Sequence, residues 1–337
     1  MRANGRRKML ALATGLLAGA VACSNAPDPP ASTRPAAVTA PAPSQSPAVM
    51  PVTPAEALDA FNTFVASDRA LRAFPDLRLD LGLTRDGQAQ LTSAAWQAKG
   101  GKPTVYAWGA PKILVPRFAP GERAPWFSVI VERDGRPAFL TFVKGAEWQL
   151  SSAAQLMPGE EVPEVAVDAE GYATPLTPDD KSVLIGPKLM APLHATVSEV
   201  GGAGVAADLL AAGPYTTEIF KQTNADRSRW DRLGCPYDSI YSASDFPVYA
   251  LRTKDGGALI QYSLTKSTSI MTGTKSCESE FIPVPAGVRW AINKDKVRFK
   301  LTVSEVHQYA TSVPAAQAPT RAEVIAHDGG ATRVVGE

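Results

Sequence analysis

The sequence predicts an α+β fold in two similar halves, each with helices packed on a curved antiparallel sheet. A signal peptide and a Pro/Ala-rich tether precede them. Three observations carry that expectation. Helix-start signals lead and hairpin signals follow in each half, which segregates helices from strands. A proline-rich stretch separates the first 22 residues from the rest. The composition, 45% hydrophobic and 20% charged over 337 residues, is that of a globular chain long enough for two ordinary domains. The organisation read from these signals is a leader over 1–22, a tether over 23–52, a first half over 53–168 and a second over 175–337.

The leader opens on Arg2, Arg6, Arg7 and Lys8, and Met9 to Ala22 carries only Ala, Leu, Gly, Val, Met and one Thr. Fourteen helical residues reach about 21 Å, short of a ~30 Å hydrocarbon core, so the segment suits a signal sequence better than a membrane span. Ala20-Val21-Ala22-Cys23 resembles a bacterial lipobox, although Leu is the commoner residue where Ala20 stands. That resemblance implies that Cys23 accepts a diacylglyceryl group and becomes residue one, because a thiol is the nucleophile this chemistry requires. Two or three acyl chains then hold the protein on a membrane, where one chain binds only marginally. The alternative is an ordinary signal cut after Ala22 that leaves Cys23 as a free thiol. Arg6-Arg7 resembles a twin-arginine signal, and the export route stays open.

Between Ser24 and Pro51 eight prolines alternate with Ala, Ser and Thr, and apolar periodicity is absent. Such a segment cannot bury a core and is expected to be a disordered, extended tether of about 80–90 Å contour. Besides Cys23 the chain has only Cys235 and Cys277. Export makes a disulfide between them the expectation, with two buried free thiols as the alternative; their spacing is not that of a zinc site.

The first half begins at Thr53-Pro54-Ala55-Glu56, which has the form of a capping box with Pro at the first helical position. Leu58, Phe61 and Val65 then recur at helical spacing. Thr177-Pro178-Asp179-Asp180 repeats the start in the second half, where the two aspartates read as capping and dipole residues. Phe127–Leu140 forms two β-rich runs around Asp134-Gly135, and Val248–Tyr262 does so around Asp255-Gly256. A further strand follows each hairpin, Trp148–Ala154 and Val297–Tyr309. This order resembles the NTF2-like (cystatin-like) folds, and the arrangement behind a lipobox resembles uncharacterised lipoproteins of high-GC actinobacteria. The residues that carry the likeness are Tyr106, Val115-Pro116-Arg117, Pro125-Trp126-Phe127 and Trp148. The resemblance implies a fold and no single activity, because such folds host enzymes and binding modules alike.

Candidate chemistry is sparse. Gly202-Ala203-Gly204-Val205-Ala206-Ala207 has dinucleotide-fingerprint spacing, but residues 189–200 before it read as helix, so it is a glycine loop between helices with Ala207–Ala212 helical. His194 reads as a packed residue on an apolar helix face. His327, before Asp328-Gly329-Gly330, reads as an exposed turn residue. Along 297–309 alternate residues are apolar, and a period of two carries Glu305, His307 and Tyr309 onto the inward face. There they form a candidate pocket in which Glu305 orients the His307 imidazole, unless a bulge after Ser304 flips the register or the strand end emerges into solvent. The tryptophans read mostly as core.

Catalytic residues, metal ligands and cofactors are not expected. With 34 basic and 33 acidic side chains overall, and 30 against 33 without the leader, the chain has no footprint for nucleic acid. The expected protein is a lipid-anchored, extracytoplasmic lipoprotein on the outer face of the cytoplasmic membrane, a non-catalytic module binding an envelope protein or a small molecule. The alternative is a cavity enzyme using His307 and Glu305 as acid and base.

Overall fold

Thr53 opens the first helix as its sequence dictates. Its hydroxyl accepts from the Glu56 amide at 3.2 Å, and the Glu56 carboxylate accepts from the Thr53 amide at 2.7 Å. Val52 before the cap and Ala57 within the first turn sit in one core cluster, the pair of positions that forms a hydrophobic staple. The computed structural model describes residues 51–119 and 121–337. The leader, Cys23 and the tether as far as residue 50 lie outside the described residues.

The first half contains α1 (Pro54–Ala73), α2 (Leu77–Gly82) and α3 (Asp86–Ala98). An antiparallel meander follows: β1 (Lys112–Pro116), β2 (Trp126–Arg133), β3 (Arg136–Lys144) and β4 (Trp148–Leu156). The β2–β3 turn is tight because Asp134 and Gly135 both take positive φ, 54° and 79°, as a two-residue turn of this hand requires. A short strand, β5 (Tyr172–Ala173), runs parallel to β1. On α1 the buried residues are Ala57, Phe61 and Leu71, whereas Leu58 faces solvent. Of the expected stripe, Phe61 is buried and Val65 packs against the same cluster, and only Leu58 gives way, to Ala57.

The second half departs from expectation at its start. Thr177-Pro178 begins no helix; α4 (Pro187–Val200) starts nine residues later with Gly186 at its cap. Asp180 instead accepts from the Ser182 amide at 2.9 Å and pairs with Arg252 at 2.9 Å, while Asp179 pairs with Lys188. The competition is one of turn chemistry, since Asp can bond its own backbone two residues on as readily as it caps a helix. After α4 the glycine segment forms two short 3₁₀ turns, Gly201–Ala203 and Val205–Asp208, and then α5 (Thr217–Asp231). The expected helix over 207–212 is therefore confined to the end of the second turn.

The strands that follow are β6 (Tyr237–Ala243), β7 (Tyr249–Arg252) and β8 (Ala258–Met271). The small pair β9 (Ile282–Pro283) and β10 (Lys296–Val297) comes next, and β11 (Lys300–Val313) and β12 (Glu323–Gly336) complete the chain. Cys235 and Cys277 are joined, tying the start of β6 to the loop before β9 in a cluster with Trp230 and Ile282.

The fold is α+β, with few helices against one large curved sheet. Its strand order is β5-β1-β2-β3-β4-β12-β11-β8-β6, with β7 also on β8. The meander of the first half ends on β4 and that of the second on β12, and these two last strands pair antiparallel through Ala326–Leu156 and His327–Gln155. One apolar cluster lies under α1 against β2 and β3, and another lies under α4 against β8 and β11. A third, including Phe139, Ala154, Ala310 and Ile325, spans the join. Buried side chains also cross it. Gln308 of β11 accepts from the Ala153 amide at 3.0 Å and donates to the Ser151 carbonyl at 3.1 Å.

Candidate functional site

β11 carries the residues singled out in the sequence, and the pairing explains their direction. Against β8 the register runs unbroken through Val303–Thr268, Glu305–Lys266, His307–Leu264 and Tyr309–Tyr262. The irregularity beside Ser304 lies in the pairing with β12, where Thr332 is the extra residue. The bulge therefore sits on the neighbouring strand, and Glu305, His307 and Tyr309 share the face of Leu301 and Val313.

The three side chains are brought together, along with both other histidines. Glu305 pairs with Lys266 at 3.1 Å, and its second oxygen stands 4.0 Å from His307 Nε2. His307 Nδ1 lies 3.0 Å from His327 Nε2, so one proton serves both nitrogens. His327 departs furthest from its sequence pattern. It is a strand residue of β12 beneath Tyr215, ring on ring at 3.9 Å, not an exposed turn residue. The Asp328-Gly329-Gly330 signal misled because Gly329 answers a close approach: a Cβ there would stand 2.6 Å from His307 Nδ1 and 2.8 Å from the Val306 carbonyl.

His194 is fully buried on α4, as an apolar-face histidine should be. Its Nε2 faces the Tyr215 carbonyl at 2.5 Å and must donate, so Nδ1 accepts from the Tyr262 hydroxyl at 2.8 Å. Tyr262 in turn meets Thr311 at 2.9 Å. Burial drives all three imidazoles toward the neutral form: His194 falls to about 4, His327 to about 3, and His307 falls too, with Glu305 opposing and Lys266 assisting. Tyr309 is entirely buried, and burial raises its phenol well above the usual range. Tyr241, Tyr309 and His327 close over the His307 ring, with centroids at 5.9, 6.3 and 5.2 Å. This is a packed aromatic and imidazole cluster.

Space for a ligand lies elsewhere. A cavity of about 290 Å³ opens between the first-half helices and the seam of the sheet. Phe64 and Asp68 of α1, Asp80 of α2 and Trp96 of α3 line it, with Tyr106, Trp108, Arg133 and the β12 segment Asp328–Ala331. Trp290, from the 3₁₀ turn Ala286–Ala291, reaches it from the second half. Each wall follows from local structure. Asp68 and Arg72 pair one helical turn apart at 2.9 Å, and Trp108 donates its indole N–H to Asp68 at 3.1 Å. Arg72 also donates to the Tyr106 carbonyl, and Trp96 donates to Asp80. Arg133 is 7% exposed, holds Asp328 at 2.5 Å and Gln155 at 2.7 Å, and lies over the Tyr106 ring at 4.9 Å. Burial pushes the Asp80 carboxyl above the ordinary range, against the Trp96 bond and with help from the Asp68 charge. Asp328 rises for the same first reason, against Arg133.

A second cavity of about 260 Å³ lies between α5 and the strands β8 and β11, lined by Asp226, Arg229, Lys266 and Glu305 among others. Glu305 thus reaches a cavity, while His307 lines neither. Of the residues that form the larger cavity, sequence reasoning singled out Tyr106, the tryptophans and Asp328-Gly329-Gly330 but assigned them to fold, core and a turn. The i,i+4 pair Asp68–Arg72 was the available signal for the rest. Among the described residues no group of three or more His, Cys, Asp or Glu is arranged to hold a metal ion. No helix among them is long and apolar enough to cross a membrane.

The chain is similar to an uncharacterised lipoprotein of Streptomyces coelicolor, 26% identical over 336 residues that cover 92% of this chain and 89% of the relative. It is similar also to an uncharacterised lipoprotein of Streptomyces avermitilis, 29% identical over 217 residues, or 61% of this chain and 63% of the relative. No solved structure matches it. The family described as a domain of unknown function, DUF8094, matches residues 48–336, and the chain belongs to that family.

Proposed function

We propose that this protein is a lipid-anchored, extracytoplasmic binding module that holds a small molecule in the cavity between α1, α3 and the β4–β12 seam. The observation that carries this reading is the contrast between the two polar centres. The larger cavity is open and walled by aromatic rings with convergent polar groups, the usual make-up of a ligand site. The histidine cluster is closed by its own side chains, and a general acid or base needs access to a substrate. That contrast favours binding over the cavity-enzyme alternative built on His307 and Glu305.

The anchor is Cys23, acylated after removal of 1–22, on the outer face of the cytoplasmic membrane. The lipobox-like Ala20–Cys23 and two lipoprotein relatives support this. Cys23→Ser should release the protein from membranes, and unchanged membrane association would overturn the anchor. We read the two halves as NTF2-like units. Each runs from helices into a meander and each has a cavity between helix and sheet, which supports that reading.

The binding reading is tested by native mass spectrometry of protein purified from its own membranes. A bound small molecule that is lost in Thr92→Trp, which fills the larger cavity from α3, is the expected result. A molecule retained by Thr92→Trp but lost in His307→Ala would favour the enzyme reading instead.

A further inference from the structure

We propose that the larger cavity recognises a small organic cation, an amine or quaternary ammonium with short apolar substituents; this rests on the cavity being the binding site.

The inference comes from what each charge lining it already has. Asp328 is matched by Arg133, and Asp68 by Arg72. Asp80 receives one neutral hydrogen bond, from the Trp96 indole, and forms no ion pair among the described residues. It also feels the repulsion of Asp68 across the same cavity. One unit of positive charge at this place would therefore satisfy Asp80 and relieve that repulsion, whereas an anion would meet three carboxylates in the lining against the single guanidinium of Arg133, itself already paired.

The walls make the same selection. Trp108 packs between Phe64, with centroids at 6.1 Å, and Tyr106, at 5.4 Å, and Trp96 and Trp290 add two more indoles to the lining. Aromatic faces attract cations through their quadrupoles, most strongly in tryptophan, and the Arg133 guanidinium already sits over Tyr106 in this way. A volume of about 290 Å³ fits a compact molecule and excludes a folded peptide.

The test is a titration of the purified full chain with choline and with its neutral isostere 3,3-dimethylbutan-1-ol, followed by the indole N–H resonances of Trp96, Trp108 and Trp290. The expected result is saturable shifts of these indoles with choline, at least tenfold weaker shifts with the alcohol, and loss of the choline preference in Asp80→Asn. Asp80→Asn keeps an acceptor for Trp96 and resembles the protonated carboxyl, so it should fold. Thr92→Trp should abolish the shifts. Equal binding of choline and the alcohol, blocked by Thr92→Trp, would overturn the cation while leaving the binding site standing. Shifts that persist in Thr92→Trp would overturn both, and no shifts with either compound would overturn the cation while the retained molecule still tests the site.

Discussion

Acidification should destabilise this protein through its histidines before its carboxylates are reached. His194 is held neutral with its tautomer fixed, donating to the Tyr215 carbonyl and accepting from Tyr262. His327 is held neutral between His307 and the Tyr215 ring. In the unfolded chain each titrates near 6.5, whereas in the fold burial lowers them to about 4 and about 3. The unfolded state therefore binds more protons below pH 6.5, so stability is full above that pH and falls as the pH drops through it. The loss levels off only when the folded values are reached. At pH 5 each imidazole left neutral in the fold forgoes about 2 kcal/mol, so the two together remove about 4 kcal/mol, a large share of the 5–15 kcal/mol typical of a domain. His307 adds in the same direction. Asp80 and Asp328, both raised, work the opposite way as pH falls toward 4, while the lowered Asp168, Asp180 and Asp255 add to the loss there. Urea unfolding followed by tryptophan fluorescence at pH 7, 6 and 5 measures the effect. In His194→Gln the slope between pH 6 and 5 should shrink by about 1 kcal/mol per unit, whatever the variant does at pH 7. A stability constant from pH 7 to 5, or an unchanged slope in His194→Gln, would refute the reasoning.

The join between the halves and the close approach on β12 give further expectations. Arg133→Met leaves Asp328 and Gln155 without their partner; it should lower stability by about 2–3 kcal/mol, below the usual cost of breaking a buried pair because Asp328 keeps a third of its exposure. Denaturation read at tryptophans of both halves should stay coincident in that variant. Gly329→Ala drives a methyl against the Val306 carbonyl and the His307 backbone and should cost about 2–3 kcal/mol, measured by thermal unfolding. Cys235→Ala with Cys277→Ala opens a loop of 42 residues, for which chain entropy gives a loss of about 4 kcal/mol at 25 °C by urea titration.

The sequence made the fold class readable because its strongest local signals were also the ones tertiary structure kept. Thr53–Glu56 caps α1 and Asp134-Gly135 turns β2 into β3, since each motif satisfies its own backbone without outside help. Thr177-Pro178-Asp179-Asp180 has similar letters, but the local turn to Ser182 competes for Asp180 and Arg252, 72 positions away, decides it, a partner visible only in three dimensions. β12 was missed for a related reason. Asp328-Gly329-Gly330 spells a turn locally, yet those residues serve a backbone pressed against His307 and a carboxylate held by Arg133, 195 positions away. The alternation along β11 did indicate the direction of Glu305, His307 and Tyr309. It could not reveal that Tyr241 and His327 would close over them, nor that the open space would form around Asp80 and Trp96. Periodicity reports which face a side chain takes and says nothing of what covers that face.

The most direct trial of this account is a crystal structure of the protein carrying whatever small molecule it retains from its own membranes. Density among Trp96, Trp108 and the Asp328–Ala331 segment, with the His307–His327 contact intact, is the predicted result. Density seated against His307 Nε2 and Glu305, with Tyr241 and Tyr309 displaced, would contradict it and move the working centre of the molecule to the histidines.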